Sequence, residues 1–315
     1  MLKTVEKILI VANDAGGANI LASWCKENSW NEFKFCVTGP AKKIFFETFG
    51  PLSNIDPTDI DNTVLTVDKT ICSTSRINSN LIFTVHASRR AGVDSIVFLD
   101  HWTEYVERFG GERYFLGNLP DEIWVFDEYA FVCATTAGFP SQIIKLKNNP
   151  YVNKIAREVQ ETGSVDPSTR EVVLYLSEPV VQIQALRERP LDEMGYTEFQ
   201  LLGDVVDAVC ESTTRSLRIR LHPSESEDKY RELIAGRSDS NDVEVSTEND
   251  LAKDLAQAIG VIGSNSTALV IAAEAGIPTL SYIPKDGRPC LLPHSYIRKK
   301  QNIAGLQEFL LELPV

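Results

Sequence analysis

Short apolar runs alternate with amphipathic stretches along the whole chain. In the first half, runs rich in β-branched and aromatic residues predict strands at Lys7–Ala12, Phe33–Val37, Thr63–Val67, Leu81–Val85, Ser95–Leu99 and Glu122–Val125. Helical spacing of apolar positions predicts helices such as Asn19–Lys26 and Ala41–Phe49. Strands that alternate with helices at this spacing indicate βαβ units and a parallel sheet.

The second half repeats this alternation. It predicts strands at Val172–Leu176, Ser216–Leu221, Val243–Val245, Ile259–Ile262 and Thr279–Tyr282. Predicted helices are Glu198–Glu211, Glu225–Ile234, Leu251–Ala256, Ser266–Ala275 and Ile303–Leu311. A turn at Asn148–Tyr151 and the polar stretch Glu158–Arg170 precede this half and predict a boundary. We therefore expect an α/β protein of two doubly wound Rossmann-like domains, 1–155 and 156–315, facing each other across a cleft.

Composition and charge narrow the class of protein. The 315 residues are 43% hydrophobic, as in a globular protein with a full core. The formal charge is −13, with −3 in residues 1–155 and −10 in the rest, which argues against nucleic acid as a partner. No membrane span or signal peptide is predicted, and six scattered cysteines without a Cys-x-x-Cys pair indicate reduced thiols. These features predict a cytoplasmic protein.

One basic run stands out against this acidic background. Arg298-Lys299-Lys300 is either a solvated surface or a contact for an anionic ligand or an anionic membrane surface. The second alternative would allow peripheral association with the inner face of a membrane.

Candidate chemistry in the second half lies where predicted strands end. His222-Pro223 closes one strand, and Gly263-Ser264-Asn265-Ser266-Thr267 leads from another into a helix. Ligands of open α/β sheets bind at the carboxyl ends of strands, and a helix N-terminus can bind a phosphate. The alternatives are a partly buried histidine and an ordinary Ser or Thr helix cap. Glu274, two turns further along the helix, is either a ribose contact or an exposed helical glutamate.

The first half carries polar groups at corresponding positions. Asp14 follows the first strand and is either a general base or a helix cap, while Gly16-Gly17 permits close approach of backbone to a ligand. The block Asp100-His101-Trp102 has the mixed composition of a polar-ligand pocket, although Trp102 could simply cover the sheet edge. Thr74-Ser75 follows another apolar run and is a further candidate at this side.

Other cofactor chemistry is not indicated. The chain has no Gly-x-Gly-x-x-Gly fingerprint, no Walker-type loop and no Gly-x-Ser-x-Gly elbow. Four histidines without metal-ligand spacing argue against zinc, and Asp59-Ile60-Asp61 lies in a segment typical of a solvated loop. We expect neither a cofactor nor a metal.

These residues resemble a glycosyltransferase of the GT-B architecture. His222-Pro223 with Ser264-Asn265-Ser266-Thr267 is similar to the His-Pro and Ser-Ser/Thr motifs of bacterial sialyltransferases and Kdo transferases, which use CMP-activated sugars. The arrangement is also similar to that of teichoic-acid glycerophosphotransferases. Glu274-Ala275-Gly276-Ile277-Pro278 resembles the Glu-x-x-Gly-x-Pro segment of many GT-B donor domains.

The resemblance implies a metal-independent, inverting transfer from a nucleotide-sugar donor to a glycan or glycolipid acceptor in surface polysaccharide synthesis. Asp14 would deprotonate the acceptor, and His222 with the Ser264–Thr267 turn would hold the nucleotide phosphate. Ser177-Glu178 would lie near the base or ribose, and the N-terminal domain would bind the acceptor. Asn13-Asp14-Ala15-Gly16 departs from the Asp/Glu-Asp/Glu-Gly motif of sialyltransferases.

Two further functions stay open. A UDP-N-acetylglucosamine 2-epimerase would share the two-domain fold but needs more acid and base groups, for which His222, Asp14 and Asp100-His101 are available. A non-catalytic nucleotide-sugar binder is the other alternative. The sequence does not predict the sugar, the acceptor or the oligomeric state.

Overall fold

The computed structural model describes residues 4–74, 80–162, 172–186, 188, 190–213, 215–236, 243–248 and 250–314. The chain divides into two compact units, Met1–Lys154 and Ile155–Val315. Each unit has a parallel sheet and a hydrophobic core of its own.

In the first unit, the described residues form one six-stranded sheet. Its strands are β1 (Lys7–Ala12), β2 (Glu32–Val37), β3 (Lys69–Ser73), β4 (Asp94–Phe98), β5 (Glu122–Val125) and β6 (Ile144–Leu146). The helices are α1 (Ala15–Glu27), α2 (Ala41–Phe49), α3 (Ile60–Val64), α4 (Asn80–Ala91), α5 (Tyr105–Arg108), α6 (Glu128–Thr136) and α7 (Pro150–Thr162), which continues into the second unit. The strand order β2-β1-β3-β4-β5-β6 reverses its direction of winding at β1 and β3.

The core of the first unit explains why β1 is central. Ile8, Leu9 and Ile10 are at most 1% exposed, because a parallel strand covered by helices on both faces is buried all round. Rings from β2 and α2 close the edge of this core, with Phe35 centred 5.3 Å from Phe45 and 5.6 Å from Phe49. Burial also raises the pKa of the Cys36 thiol to about 11, so this thiol is protonated and inert at neutral pH.

Two predicted strands of this unit are wrong. The stretch Thr63–Val67 is the end of α3 and the turn after it, and Leu81–Val85 lies inside α4. The intervening strand is β3, whose polar residues Thr70 and Ser73 are buried. The Thr70 hydroxyl lies 2.9 Å from the Ser88 hydroxyl of α4, so a hydrogen bond replaces the apolar contact that the pattern required.

In the second unit, the described residues form a second six-stranded parallel sheet. Its strands are β7 (Val172–Leu176), β8 (Ser216–Arg220), β9 (Val243–Val245), β10 (Ala258–Gly263), β11 (Thr279–Tyr282) and β12 (Arg298–Lys300). The helices are α8 (Val180–Leu186), α9 (Glu198–Ser212), α10 (Arg231–Ala235), α11 (Leu251–Gln257), α12 (Thr267–Glu274) and α13 (Ile303–Leu311). The order β12-β11-β10-β7-β8-β9 is that of a Rossmann domain, with its reversal between β7 and β10.

The basic run forms β12, at the edge of this sheet. The side chains of Arg298 and Lys300 pair with Glu312 and Glu308, which lie in or directly after α13, and Lys299 donates to the Leu292 carbonyl at 2.5 Å. Charges on an edge strand discourage pairing with another chain. These contacts favour the surface interpretation of the run over a contact for an anionic ligand.

One further predicted element is shorter than expected. The helix predicted at Glu225–Ile234 is a series of turns followed by α10, because His222 to Lys229 form a polar network described below. Within the described residues, no helix is both long enough and apolar enough to cross a bilayer.

Candidate functional site

The reversal point of the second sheet lies between β7 and β10. In Rossmann domains, the chain segments that leave the carboxyl ends of the strands diverge at such a reversal, and ligands bind in the crevice between them. Ser177 and Glu178 follow β7, and Gly263 to Thr267 connect β10 to α12. A side chain on Gly263 would bring a Cβ within 3.3 Å of the Leu176 carbonyl oxygen, so glycine permits the two strand ends to approach.

The turn after β10 is bound to the end of β7 through Glu178. The Asn265 N–H donates to Glu178 Oε1 at 2.6 Å. Ser266 occupies the N-cap of α12, where its hydroxyl accepts from the Ala268 N–H at 3.2 Å. The structure therefore brings together Glu178, Ser266 and Thr267, three of the predicted nucleotide contacts.

Two other polar residues of this turn are used inside the protein. The Ser264 carbonyl accepts from the Ser281 hydroxyl at 2.6 Å, and the Ser264 side chain is buried. Asn265 Oδ1 accepts from the Leu291 N–H at 2.6 Å. These contacts give both residues a role in holding loops together, which differs from the ligand contacts expected of them.

His222 begins the turn after β8, the neighbour of β7 on its other side. In a sheet with strands about 4.8 Å apart, the ends of β8 and β10 are about 10 Å from each other. His222 Nδ1 accepts from the Ser224 N–H at 3.2 Å and lies 2.8 Å from the Ser224 hydroxyl. An Nδ1 that accepts leaves the ring hydrogen of a neutral imidazole on Nε2.

The protonation of His222 is biased by its surroundings. Desolvation lowers its pKa below the ordinary value, the Glu225 carboxylate opposes this change, and the Lys229 ammonium adds to it. His222 is therefore neutral at pH 7, and since the residue is exposed as a whole, its Nε2–H is a candidate donor to a phosphate or a leaving oxygen.

Behind His222 lies a buried network that sequence reasoning missed. Glu225 Oε2 accepts from the His222 N–H at 2.8 Å, and Glu225 Oε1 accepts from Lys229 Nζ at 2.6 Å and from the Tyr230 hydroxyl at 2.9 Å. Lys229 Nζ also donates to Glu198 Oε1 at 2.6 Å. The Glu225 and Glu198 side chains are at most 1% exposed, so their charges depend on Lys229 for compensation.

Ser177 belongs to this network. Its hydroxyl lies 2.5 Å from the Tyr230 hydroxyl and donates to Glu225 Oε1 at 3.1 Å. Ser177 is 5% exposed, and its hydroxyl connects β7 to the His222 turn. The spacing of Glu225 and Lys229, four residues apart, was the signal in the sequence for an ion pair.

Glu274 lies away from this group. Its carboxylate accepts from the Tyr296 hydroxyl at 2.7 Å and lines an open depression of about 500 Å³ with Thr279 and Arg298, at the start of β11 and β12. Eight residues of helix separate it from Ser266, a rise of about 12 Å toward the opposite edge of the sheet. We therefore leave Glu274 out of the group formed by Glu178, His222, Ser266 and Thr267, hereafter the β7–β10 site. Pro223 follows His222 in the exposed turn.

In the first unit, Asp14 occupies the N-cap of α1 at the end of β1. Within this fully described turn, its side chain makes no capping hydrogen bond, and Asn13 Nδ2 donates to Asp14 Oδ1 at 2.7 Å. The hydrogen bond that a helix cap would make to a backbone N–H of α1 is therefore not formed by the Asp14 side chain. Gly17 closely approaches the Ser73 side chain of β3, so the close approach predicted for this glycine is to the protein itself.

A buried ion pair lies at the ends of β3 and β4. Arg108 Nη1 donates to Asp100 Oδ1 at 2.7 Å and to the Thr74 hydroxyl oxygen at 2.9 Å. The Thr74 hydroxyl donates to Asp100 Oδ1 at 2.5 Å. The side chains of Arg108 and Asp100 are 4% and 10% exposed. We refer to Thr74, Asp100 and Arg108 as the Asp100 cluster, in which the contribution of Arg108 was missed.

The residues next to Asp100 have different environments. Trp102 is buried, and its Nε1–H donates to Asp127 Oδ2 at 2.9 Å, so it supports the sheet edge. His101 Nδ1 lies 3.2 Å from the Thr103 hydroxyl, and the residue is partly exposed. Gly16 is exposed beside Asp100. The predicted contact Ser75 lies outside the described residues.

In the described part of the chain, no group of three or more His, Cys, Asp or Glu could hold a metal ion.

Comparison with known proteins identifies the fold. No family model and no curated protein matches the chain. UDP-GlcNAc 2-epimerase from Methanocaldococcus jannaschii is 13% identical, with a TM-score of 0.66 over 98% of this chain and 92% of that one. HepE of Anabaena in complex with UDP-glucose is 14% identical, with a TM-score of 0.63 over 98% and 90%. UDP-GlcNAc 2-epimerase from Neisseria meningitidis bound to UDP-GlcNAc is 10% identical, with a TM-score of 0.59 over 87% and 82%. The predicted α/β class with two doubly wound Rossmann-like domains is confirmed.

Proposed function

We propose that this protein is a sugar-nucleotide enzyme whose β7–β10 site binds the nucleotide. The observation that carries the proposal is Glu178 bound to the Ser-capped turn at the reversal point of a Rossmann sheet, with a neutral histidine at the end of the adjacent strand β8. The first turn of α12 and the Nε2–H of His222 would donate to the phosphates. The Glu178 carboxylate, an acceptor, suits ribose hydroxyls or a base N–H.

The nucleotide that we propose is a uridine diphosphate, in place of the CMP suggested by the sialyltransferase resemblance. Two of the proteins with this fold are in complex with UDP-glucose and bound to UDP-GlcNAc. The span of about 10 Å across the ends of β8 and β10 also suits a diphosphate with its ribose.

The reaction that we propose is 2-epimerisation of the sugar. Inversion at carbon 2 can proceed by removal of its proton while the bond from carbon 1 to the UDP oxygen breaks, so that the electron pair of the C–H bond forms a C1=C2 double bond. UDP then adds back to carbon 1 as a proton is returned to the opposite face of carbon 2, so the reaction needs groups that remove and return a proton. Asp14, Asp100 and His101 follow strand ends of the first unit and supply two carboxylates and an imidazole. M. jannaschii and N. meningitidis proteins of this fold are UDP-GlcNAc 2-epimerases.

Glycosyl transfer to a glycan or glycolipid is the second candidate. The position of Asp14, between the carboxyl end of β1 and the start of α1, is the observation that favours it, since a carboxylate there suits deprotonation of an acceptor hydroxyl. Any association with a membrane face would belong to this candidate through its acceptor.

Nucleotide binding is tested by thermal unfolding with UDP, CDP, CMP and GDP. A ligand at a hundredfold excess over its Kd raises the free energy of unfolding by about 2.7 kcal/mol. We expect the largest response to UDP, and its loss in His222→Ala and Ser266→Ala. Ser226→Ala, at an exposed serine of the same unit, is the matched control. A chain that responds to none of the nucleotides would contradict the proposal.

The reaction is tested with UDP-GlcNAc in D2O, without an acceptor, followed by NMR. We expect the 2-epimer, with deuterium from solvent at carbon 2 of the product. Asp100→Asn should abolish this exchange while UDP binding persists. Turnover that requires an added acceptor, with no deuterium at carbon 2, would select glycosyl transfer.

A further inference from the structure

Asp100 is held in one orientation by donors on one of its two oxygens. Oδ1 accepts from Arg108 Nη1 at 2.7 Å and from the Thr74 hydroxyl at 2.5 Å. Among the described residues, none donates to Oδ2. Instead, Oδ2 lies 3.2 Å from the position that a Cβ on exposed Gly16 would take. One oxygen is therefore engaged in the protein, and the other is directed to the N-terminal turn of α1.

Arg108 forms a buried ion pair with Asp100, in contrast to an exposed pair at the protein surface. Its side chain is 4% exposed, and all three of its polar contacts belong to one small region: Asp100, Thr74 and the Thr103 carbonyl, the last at 3.3 Å from Nε. A guanidinium carries its charge at every accessible pH and is costly to bury unless a carboxylate compensates it. Arg108 and Asp100 thus compensate each other's charge through Oδ1, while Oδ2 of Asp100 is directed to the N-terminal turn of α1.

The chain between these two residues is bent to bring them together. Glu104 has φ +56°, a left-handed conformation that is uncommon for a residue other than glycine. The single helical turn α5 follows, and the Arg108 N–H donates to the Glu104 carbonyl at 3.2 Å. Such a conformation persists when surrounding contacts over-determine it, and it is frequent at functional sites.

From this geometry we infer that Arg108 is a positioning residue, which holds Asp100 so that Oδ2 exchanges a proton with the substrate. The inference rests on the proposed function, since it assigns the proton transfer at carbon 2 to Asp100. Arg108 itself would touch neither the sugar nor the nucleotide. It follows that loss of Arg108 should impair turnover and spare nucleotide binding, because the β7–β10 site belongs to the second unit.

The test measures deuterium exchange at carbon 2 and UDP affinity in Arg108→Ala, with exposed Arg113→Ala as the matched control. Misplacement of a reacting group by about 1 Å lowers kcat about 100-fold, and we expect a loss of that order. The KM for UDP-GlcNAc and the Kd for UDP should stay at wild-type values. Added guanidinium chloride at low millimolar concentration should restore part of the kcat by filling the vacated volume, while urea should not.

Two more variants keep the inference testable if Arg108→Ala folds poorly. Arg108→Lys keeps the charge but not the two-point contact with Asp100 and Thr74, so we expect an intermediate kcat. Thr74→Val keeps the shape and removes one donor to Oδ1, so kcat should fall while KM is unchanged.

The outcomes separate the possible failures. Wild-type kcat in Arg108→Ala would overturn the inference and leave the proposed function intact. So would a parallel loss of stability, UDP affinity and kcat that guanidinium does not restore, since that pattern marks a purely structural residue. A wild-type chain that binds no UDP and exchanges no deuterium would overturn both the proposed function and the role of Arg108.

Discussion

Gly17 shows how closely single positions in this fold are constrained. A Cβ at this position would lie 2.4 Å from the Ser73 Cβ and 2.6 Å from its hydroxyl oxygen. Gly17→Ala should therefore displace α1 from β3 and lower the free energy of unfolding by roughly 1–3 kcal/mol. Urea denaturation followed by circular dichroism measures the change.

Gly16→Ala is the control for this prediction. It adds the same methyl group one residue earlier in the same helix, where the nearest atom is Asp100 Oδ2 at 3.2 Å. Both variants gain helix propensity equally, so propensity cancels in the comparison. If the two variants lost stability to the same extent, the contact with Ser73 would not be the cause.

The pKa of His222 leads to a prediction about pH. Desolvation, assisted by Lys229 and opposed by Glu225, lowers this pKa in the folded chain. When the pH falls below the unfolded-state value of about 6.5, the unfolded chain binds the proton first, so stability decreases. Between about pH 7.5 and pH 5.5, the melting temperature of the wild type should fall further than that of His222→Gln. Parallel curves for the two proteins would contradict this assignment.

At the residue scale, the position of the candidate residues at strand ends could be predicted from the sequence. His222, Glu178 and Ser266 follow strands of a parallel sheet, so topology alone places them at one edge. The contact of Arg108 with Thr74 and that of Glu225 with Ser177 could not be predicted, because the partners lie 34 and 48 residues away along the chain. Only the pair Glu225 and Lys229 has a spacing that the sequence reveals. The bonds of Ser177 to Glu225 and of Asn265 to Leu291 could not be predicted either, because they arise from tertiary neighbours that periodicity does not reveal.

At the scale of elements, Asp254 connects α11 to the sheet. Its carboxylate is fully buried and accepts from Arg220 Nη1 at 2.5 Å and from the Ser246 hydroxyl at 2.8 Å. Asp254→Ala would remove the carboxylate that compensates the largely buried charge of Arg220. We therefore expect a loss of roughly 3–5 kcal/mol in the free energy of unfolding. Chemical denaturation monitored by tryptophan fluorescence measures it.

Glu244→Ala provides the comparison within the same cluster. Glu244 Oε1 accepts from Arg218 Nε at 2.6 Å, but its side chain is 53% exposed. Exposed pairs are worth at most about 1 kcal/mol, so this variant should remain close to wild type. Equal effects of the two substitutions would show that burial of Asp254 does not determine its contribution.

The elements themselves were predicted where an apolar run and its flanking turns agree, as at β1 and β10. The predictions were wrong where buried polar residues interrupt the apolar run of a strand. The strand β3 contains Thr70 and Ser73, and α4 presents Leu81 and Val85 to the core at helical spacing. A five-residue apolar window does not separate these cases, since buried strands and buried helix faces look alike at that length.

At the scale of the whole molecule, two cores within one chain predict two folding units. The core cluster of the second unit runs from Val173 to Leu313, and that of the first from Ile8 to Trp124. The helix α7 begins in the first unit and ends in the second. A fragment that starts before Pro150 therefore contains the whole of α7 together with the second unit. A fragment of about 165 residues is well within the size of domains that fold alone.

We expect residues 149–315 to unfold cooperatively in urea and to bind UDP. The residues of the β7–β10 site all belong to this unit, so its UDP affinity should lie within about tenfold of the whole chain, a difference of about 1.4 kcal/mol. Isothermal titration calorimetry measures the affinity, and residues 1–148 serve as the control that should bind no UDP. A folded 149–315 fragment without UDP affinity would show that nucleotide recognition depends on groups from the first unit.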